Sequence, residues 1–189
     1  MKTFIVSIKA VLIFTIITGV LYPLLIFCIG QIAFQNQANG SLIMNNGKVI
    51  GSELIGQTFD STIYFHSRPS AINYQPMPSS GSNLGPTSLA LKERVDSLRN
   101  AYIEYNGLPN NTDVPSDAIF ASGSGIDPHI SLENANFQID RIAKARGFDL
   151  SKKNNLIELV KKNTQMPQLG FLGEVRINVV KLNLELDKL

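Results

Sequence analysis

The stretch AVLIFTIITGVLYPLLIFCIG, residues 10–30, decides the architecture of this chain. It carries no charged side chain, and the hydroxyls of Thr15 and Thr18 can fold back onto helical carbonyls. At about 1.5 Å of rise per residue, these 21 residues span about 30 Å as a helix, the thickness of a bilayer's hydrocarbon core. Because no charge follows before Lys48, the sequence predicts one transmembrane helix over residues 10–34.

The same stretch differs from a cleaved signal peptide in its length and in the residues that follow it. A signal peptide has an apolar region of roughly 7–15 residues and a small-x-small cleavage site. Cleavage near Ala33 would need a small residue where this chain has Gln31. Cys28 follows Ile26 and Phe27, where a lipoprotein signal would have small residues. We therefore expect a retained membrane anchor.

Two residues inside the span are predicted packing positions. Pro23 has no N–H to donate, which frees the carbonyl of Gly19 for a neighbouring helix or for a local adjustment. Gly19 has no side chain, so another membrane helix can approach it closely. A tolerated kink without a contact is the simpler alternative.

Charges at the start of the chain predict its orientation. Lys2 and Lys9 precede the span, and the first basic residue after it is Lys48. The positive-inside rule places residues 1–9 in the cytoplasm and residues 35–189 on the extracytoplasmic side of the membrane. Of the 17 basic residues, 15 lie in this second part and balance its 15 acidic residues, so no surface for nucleic acid is expected.

Residues 35–189 are long enough for one domain with a core of its own. The single cysteine lies in the span, which excludes an intrachain disulfide, and two histidines are too few to indicate a zinc site. Apolar spacing predicts about three soluble helices. Their predicted caps are Thr87 or Ser88, then Ser131, then Ser151.

Strand signals are shorter and lie among glycines and prolines. Short strands and turns are predicted over residues 48–59, and a strand over residues 63–65. Alternation predicts a half-buried strand over residues 176–186, with a bulge near Val179 or Val180. The fold class is therefore α+β: one amino-terminal transmembrane helix followed by one mixed α/β extracytoplasmic domain.

A proline- and glycine-rich segment, residues 67–87, separates the second strand from the first soluble helix. A loop of about 20 residues is unusual in a compact domain and is often functional. Its apolar members, Tyr74, Met77 and Leu84, favour a loop that packs against the rest of the domain over a free excursion.

The densest group of chemically capable residues is ASGSGIDPHIS, residues 121–131. It holds Gly123, Ser124, Gly125, Asp127 and His129, and a predicted helix begins directly after it. Glycine amides and a helix amino terminus together suit a phosphate, although the segment lacks the P-loop and dinucleotide spacings. A tight turn with both side chains bonded to local backbone is the simpler alternative.

A second glycine loop, GSNLGPT at residues 81–87, contains Ser82 and Asn83 and also precedes a predicted helix. A structural turn is the favoured interpretation of this loop over a ligand site.

Five segments together resemble one known family, in its order and spacing: YFHSRPSA (64–71), GSNLGPT (81–87), ASGSGIDPHIS (121–131), RIAKARG (141–147) and LGFLGEVRINV (169–179). The family is the C chain of the bacterial Kdp potassium-transporting ATPase, and the resemblance includes the amino-terminal span. It adds Arg68, Ser82 and Asn83 to the glycine-loop residues as candidates for a ligand or interface site.

The resemblance implies a non-catalytic subunit of a four-part complex in the bacterial inner membrane. Its implied partners are a channel-like potassium-selective subunit, a P-type ATPase pump subunit phosphorylated on aspartate, and a small single-helix subunit. The C chain of this family is required for assembly and is described as a catalytic chaperone. In that role it raises the ATP affinity of the pump subunit in a transient ternary complex, so ATP is an implied ligand that is not firmly bound.

The predicted orientation conflicts with direct contact between this domain and cytoplasmic ATP. We expect any effect on ATP affinity to pass through the membrane partners as a coupling free energy. The domain would then cap the channel-like subunit on the outer face, with its glycine loops as rigid interface turns. Two other classes stay open: a membrane-tethered hydrolase using Ser124, Asp127 and His129, and a lone ligand-binding domain.

Overall fold

The computed structural model of the chain describes residues 1–45 and 47–189. These residues form two compact units, residues 1–52 and residues 53–189. The first unit contains the apolar helix and a hairpin, and the second contains the mixed helix and strand domain.

The amino-terminal unit begins with one long helical segment, Lys2–Ala33, of 32 residues. It consists of α1 (Lys2–Ile16), a π-helical turn (Ile17–Leu21) and α2 (Tyr22–Ala33). The helix starts at Lys2, so residues 1–9 continue it instead of forming a separate tail. None of its residues is buried, and the segment is apolar and long enough to cross a membrane.

The helix is wider than an α-helix over Ile17–Leu21, just before Pro23. Since Pro23 has no N–H, the carbonyl of Gly19 has no partner in a regular helix. The helix widens there, and the N–H of Tyr22 donates to the carbonyl of Ile17, five residues earlier. The local adjustment, one of the two expected alternatives, is therefore present within the helix itself.

A short helix and a hairpin complete the first unit. Helix α3 is Gln35–Ala38, and strands β1 (Leu42–Asn45) and β2 (Lys48–Ser52) pair antiparallel with an irregularity after Ile43. The predicted strands and turns over residues 48–59 are confirmed for β2, which ends at Ser52, and the residues after it form turns and loop.

The second unit contains five helices and three short strands among the described residues. The helices are α4 (Leu89–Asn106), α5 (Ser116–Ile119), α6 (Leu132–Ala145), α7 (Leu150–Lys162) and α8 (Val179–Leu186). The strands are β3 (His129–Ile130), β4 (Thr164–Gln165) and β5 (Arg176–Asn178), which form an antiparallel sheet in the order β3-β5-β4.

Helix caps were the most predictable local features. The hydroxyl of Ser88 accepts the N–H of Leu91 at the start of α4, and Ser131 accepts the N–H of Asn134 at the start of α6. The predicted cap Ser151 is wrong, because Asp149 caps α7 two residues earlier. A carboxylate at this position is equally suited to accept an orphan N–H.

The long strand predicted over residues 176–186 is wrong after its third residue. Strand β5 ends at Asn178, whose side chain caps α8 by accepting the N–H of Lys181 at 3.1 Å. The buried residues of α8 recur at helical spacing: Val179, Val180, Leu182, Asn183 and Leu186. The predicted bulge is wrong for the same reason.

The strand predicted over residues 63–65 is also wrong, because side chains instead of a neighbouring strand take up the backbone groups there. Asn183 donates to the carbonyl of Phe65 and accepts its N–H, both at 2.9 Å. Gln138 donates to the carbonyl of His66 at 3.2 Å and accepts its N–H at 2.7 Å. Every buried backbone group needs a partner, and two side-chain amides supply four of them here.

Two arginines bind the carbonyls between these positions. Arg141 donates to the carbonyls of Thr62 and Tyr64, and Arg146 donates to the carbonyl of Ile63 at 2.8 Å. We call Gln138, Arg141, Arg146 and Asn183 the side-chain clamp. It holds residues 62–66 against α6 and α8 without a strand ladder.

The main core lies between α6, α7, α8 and the sheet. Its fully buried side chains include Phe65, Ile142, Leu156, Val160, Ile177, Leu182 and Leu186. Phe65 enters this core from the clamped segment, so the clamp and the core fix the chain just before the candidate site.

The long segment 67–87 packs against the rest of its unit, as predicted. Of the apolar residues expected to pack, however, only Tyr74 is partly buried, whereas Met77 is 85% and Leu84 38% exposed. The hydroxyl of Ser70 donates to the carbonyl of Gly125 at 2.6 Å, and Ser79 donates to the carbonyl of Ser124 at 2.8 Å. The segment therefore lies on the glycine loop of residues 121–131.

Candidate functional site

Three of the predicted site residues meet in one cluster. Nη1 of Arg68 lies 3.2 Å from one carboxylate oxygen of Asp127. Nδ1 of His129 lies 3.0 Å from the other oxygen, which also accepts the backbone N–H of His129 at 3.1 Å. All three side chains are about a quarter exposed. Asp127 therefore joins two parts of the chain that are 59 residues apart.

The cluster holds Asp127 in its ionised form. Partial burial alone would raise the pKa of Asp127, but hydrogen bonds from the ring and N–H of His129, with the charges of His129 and Arg68, outweigh it. The net effect is a pKa below the usual value of 3.8.

Nε of Arg68 is buried and has no hydrogen-bond partner among the described residues.

The position of Arg68 is set by a neighbouring tyrosine. The hydroxyl of Tyr74 donates to the backbone carbonyl of Arg68 at 2.5 Å. Burial raises the pKa of Tyr74 to about 12, so this donor stays protonated at any physiological pH. The side chain of Tyr74 also lies where a Cβ on Gly56 would fall, 2.5 Å from its ring.

A cleft of about 500 Å³ opens beside the cluster. Its charged lining consists of Arg68, Asp117, Asp127, His129, Glu174 and Arg176. Acidic and basic groups are mixed in this lining, so neither a polyanion nor a bare cation is favoured. Among the described residues, no group of three or more His, Cys, Asp or Glu side chains is placed to hold a metal ion.

Two amides of the glycine loop, those of Gly125 and Ile126, already have partners within the chain. The N–H of Gly125 donates to the carbonyl and hydroxyl of Ser122 at 3.3 and 3.0 Å. The N–H of Ile126 donates to the hydroxyl of Ser124 at 3.3 Å. A phosphate needs unpaired amides, so these two N–H groups are not available to one.

The amino terminus of α6 is occupied as well. Asp117 accepts the N–H of Ser131 at 2.8 Å and its hydroxyl at 2.9 Å. A carboxylate is already present where a helix end would attract an anion, and a phosphate there would be repelled by it. The carboxylate of Asp117 therefore disfavours a phosphate at this helix end.

Glycine is required at one position of the loop for a steric reason. Gly125 has φ +72°, and a Cβ there would lie 2.6 Å from the side chain of Ile72 and 2.8 Å from the carbonyl of Ser80. Gly123 differs, because a Cβ on it would have nothing within 4 Å. Gly125 lets three loops cross closely, whereas the side of Gly123 on which a side chain would stand is open.

Ser82 and Asn83 are not joined to the cluster by any hydrogen bond or ion pair found among the described residues. Their neighbour Gly81 is the point of contact, since a Cβ there would lie 3.1 Å from the carbonyl of Gly123. Asn83 is exposed and has φ +50°. These two residues occupy a turn beside the glycine loop.

The hydrolase alternative needs Ser124 close to His129. Asp127 and His129 do pair, but in the described residues no hydrogen bond joins Ser124 to His129. Its hydroxyl instead accepts the N–H of Ile126. The hydroxyl of Ser124 thus stabilises its own turn. Among the described residues, the Asp127–His129 pair has no nucleophile hydrogen-bonded to it.

Sequence reasoning missed Asp117, which connects the cleft to the interior. Besides Ser131, it accepts the side-chain amide of Asn134 at 2.9 Å. The oxygen of Asn134 then accepts the hydroxyl of Tyr102 at 2.8 Å and the amide of Gln138 at 2.9 Å. This hydrogen-bonded path runs from the cleft to the side-chain clamp. No local pattern around Asp117 marks it, because its partners are 14 or more residues away.

Sequence reasoning also missed Arg141, which is 8% exposed. Its Nε donates to Asn106 at 2.9 Å and its Nη2 to Gln138 at 2.9 Å, and the ring of Tyr105 lies 4.9 Å from its guanidinium carbon. Burial lowers the pKa of Arg141, while these acceptors and the ring stabilise the cation. The segment RIAKARG carries both clamp arginines, which was the available signal.

Comparison with known proteins decides the family. The model of the K+-transporting ATPase c chain, KdpC, matches residues 4–188. The chain belongs to the KdpC family. A potassium-transporting ATPase KdpC subunit of Methylococcus capsulatus is 52% identical over 186 residues, covering 94% of this chain and 93% of the relative. The KdpC subunit of Mycobacterium tuberculosis (strain H37Rv) is 47% identical over 185 residues, covering 97% and 96%.

The resemblance drawn from five sequence segments is thus confirmed. In this KdpC chain, three of those segments converge on the cluster and its support. Segment 64–71 carries Arg68, segment 121–131 carries Asp127, and segment 141–147 carries the clamp arginines. Segment 169–179 ends in β5, which pairs with β3 beside His129.

Proposed function

We propose that this chain is the non-catalytic C subunit of an ATP-driven, high-affinity potassium uptake complex in a bacterial cell membrane. Its family and the apolar helix Lys2–Ala33 support a membrane subunit of a potassium-transporting ATPase. Lys2 and Lys9 support a cytoplasmic amino terminus, with the mixed domain on the extracytoplasmic side. ATP hydrolysis belongs to the pump subunit in this proposal.

The proposed partners are those implied by the family: a channel-like potassium-selective subunit, a P-type pump subunit and a small single-helix subunit. Gly19 and Pro23 are the proposed contacts within the bilayer. A Cβ on Gly19 would meet only Thr15, at 4.0 Å, so this face of the helix is open to a close neighbour.

The observation that carries the mode of action is that hydrogen bonds from Gly125 and Ile126 to Ser122 and Ser124 brace the glycine loop from within. Such a loop is a preformed surface, and a rigid surface loses little conformational entropy on docking. We propose that it docks on the outer face of the channel-like subunit and stabilises one conformation of the complex. The Arg68–Asp127–His129 cluster holds this surface in shape.

In this proposal the chaperone role of the family is indirect. The domain raises the ATP affinity of the pump subunit by favouring the conformation that binds ATP, without touching the nucleotide. A tenfold change in affinity corresponds to about 1.4 kcal/mol of coupling, well within the range that subunit interfaces supply. Reciprocity then requires that ATP also tightens the binding of this subunit.

Purification of the complex in mild detergent tests the proposal. We expect the tagged chain to copurify with an ATPase that potassium stimulates. A reporter fused at the carboxyl end should be extracytoplasmic. A monomeric chain with esterase activity that requires His129 would favour the hydrolase instead, and a cytosolic reporter would favour direct contact with nucleotide.

A further inference from the structure

The wide turn Ile17–Leu21 leaves one backbone carbonyl of the membrane helix without its usual donor. In an α-helix the carbonyl of Thr18 accepts the N–H of Tyr22, but here that N–H donates to the carbonyl of Ile17. At the wider spacing the donor would be residue 23, and Pro23 has no N–H. The carbonyl of Thr18 therefore lacks both of the donors that a helix supplies, four and five residues further along.

This carbonyl lies near the middle of the bilayer. Residue 20 is the midpoint of the apolar stretch 10–30, and Thr18 is about 3 Å from it along the helix axis. Lipid chains at that depth have no hydrogen-bond donor, and an unpaired backbone group in hydrocarbon is strongly unfavourable. No other part of the chain covers the helix Lys2–Ala33 among the described residues. A donor for this carbonyl therefore comes from another molecule.

The hydroxyl groups of the helix do not supply this donor. The hydroxyl of Thr18 donates to the carbonyl of Phe14 at 2.7 Å, one turn earlier. The hydroxyls of Thr15 and Tyr22 make no hydrogen bond found among the described residues, and Tyr22 is 60% exposed. Tyrosine in membrane helices is usually found at the two water interfaces, where its hydroxyl is hydrated. Here its hydroxyl also needs a partner inside the hydrocarbon.

These polar groups share one face of the helix with an open glycine. Thr15, Thr18, Gly19 and Tyr22 follow each other at spacings of three and four residues, which places neighbours side by side on a helix. A Cβ on Gly19 would meet only the methyl group of Thr15, at 4.0 Å. The backbone of another helix can therefore come close enough for one of its side chains to reach the Thr18 carbonyl.

We propose that a membrane helix of another subunit of the same ATPase complex crosses this helix at Gly19 and donates a side-chain hydrogen bond to the carbonyl of Thr18. The donor is a hydroxyl or a carboxamide, because these groups add no charge to the hydrocarbon and also accept a hydrogen bond, which Tyr22 can donate. This inference rests on the proposed function, since it requires that the chain assembles with other membrane subunits. Pro23 then serves to expose an acceptor inside the bilayer.

The variant Pro23→Ala tests this hydrogen bond by restoring the missing N–H. A regular helix then pairs the carbonyl of Thr18 with Tyr22, so the helix itself should be no less stable. The donor on the partner helix loses its acceptor. We expect retention of the subunit on the complex purified in mild detergent to fall about threefold to tenfold, the range for hydrogen bonds between membrane helices.

The matched control for this variant is Leu24→Ala. Position 24 faces away from Thr18 and Tyr22, and the substitution leaves the backbone donors and acceptors unchanged. We expect Leu24→Ala to be retained like the wild type.

A photoreactive phenylalanine analogue in place of Tyr22 identifies the occupant in the assembled complex, and the same analogue at Val20, on the opposite face, is its control. We expect an adduct between position 22 and another subunit of the ATPase, in higher yield than from position 20. An adduct of position 22 with lipid only or with a second copy of this chain, or equal retention of Pro23→Ala and wild type, would overturn the proposal while leaving the proposed function intact. A wild-type chain that copurifies with no other subunit would overturn both.

Discussion

The two loop glycines, Gly123 and Gly125, look alike in the sequence but have different structural roles. Gly125 has a positive φ and close neighbours on two sides, whereas Gly123 faces open space. Only contacts made by the folded chain distinguish them. The glycine spacing therefore predicted a special turn but not which residue needs to be glycine.

We expect Gly125→Ala to lower the free energy of unfolding by about 1–3 kcal/mol, because the new Cβ clashes with Ile72 and Ser80 in a strained backbone. The measurement is chemical unfolding of the full chain in detergent. The control Gly123→Ala should change it by less than about 0.5 kcal/mol. Equal effects of the two substitutions would contradict this account.

His66 should make the stability of the fold sensitive to acid. Burial is the main cause that lowers its pKa below 6.5, and the charge of Arg141 acts in the same direction. The carbonyl of Ser61, which accepts from Nε2 at 3.1 Å, and the charge of Asp60 act against this. The hydroxyl of Tyr105 also faces the ring, 3.4 Å from Nε2.

Because the folded pKa of His66 lies below the unfolded value, the unfolded chain binds more protons in the interval between the two. The contribution of His66 to the free energy of unfolding is fully present above pH 6.5. It is lost as the pH falls from 6.5 through the lower pKa of the folded state. Unfolding free energies measured at a series of pH values should show this fall. His66→Gln, which keeps a donor for Ser61, should flatten it, and an unchanged pH profile would exclude His66 as the cause.

At the scale of elements, the segment 62–66 shows why a sequence with strong β propensity does not form the predicted strand. The run Ile63, Tyr64 and Phe65 has strong β propensity, but Ile63 and Tyr64 lie in a turn, where the N–H of Tyr64 donates to the carbonyl of Ser61 at 3.1 Å. Its partners, however, are side chains from α6 and α8, which lie 72 to 118 residues away in sequence. Propensity therefore predicted neither the conformation of this segment nor the groups that take up its hydrogen bonds.

Asn183→Leu tests the side-chain clamp. It keeps a similar side-chain size but leaves the N–H and carbonyl of Phe65 buried without partners, so we expect a loss of about 2–4 kcal/mol in unfolding free energy. The control Asn155→Leu makes the same change at an exposed position of α7 and should be nearly neutral. A similar loss for both variants would mean that the clamp is not the source of stability.

For the whole molecule, the open position of Gly123 makes it a probe of assembly. Gly123→Val should fold normally, since a Cβ at this position meets nothing within 4 Å in the described chain. If the glycine loop docks on a partner, this bulk impairs assembly before it changes ATP affinity in the complexes that survive. Copurification and nucleotide binding are the two measurements. Full assembly with weakened ATP binding would support direct contact with nucleotide instead.

The sequence by itself determined the apolar helix, the caps Ser88 and Ser131, and the family. These features are local or are repeated in relatives, so neighbouring residues are enough to identify them. It also named the members of the cluster, Arg68, Asp127 and His129, without showing that they meet.

Only the tertiary structure decided that α8 is a helix, that side chains clamp the segment 62–66, and that Asp117 occupies the start of α6. Each depends on partners far apart in the sequence, where burial and hydrogen bonding outweigh local propensity. The same is true of Leu169. In the sequence Leu169 is one more apolar residue. Only the folded backbone shows that its side chain is exposed and that its φ of +54° is one that leucine disfavours.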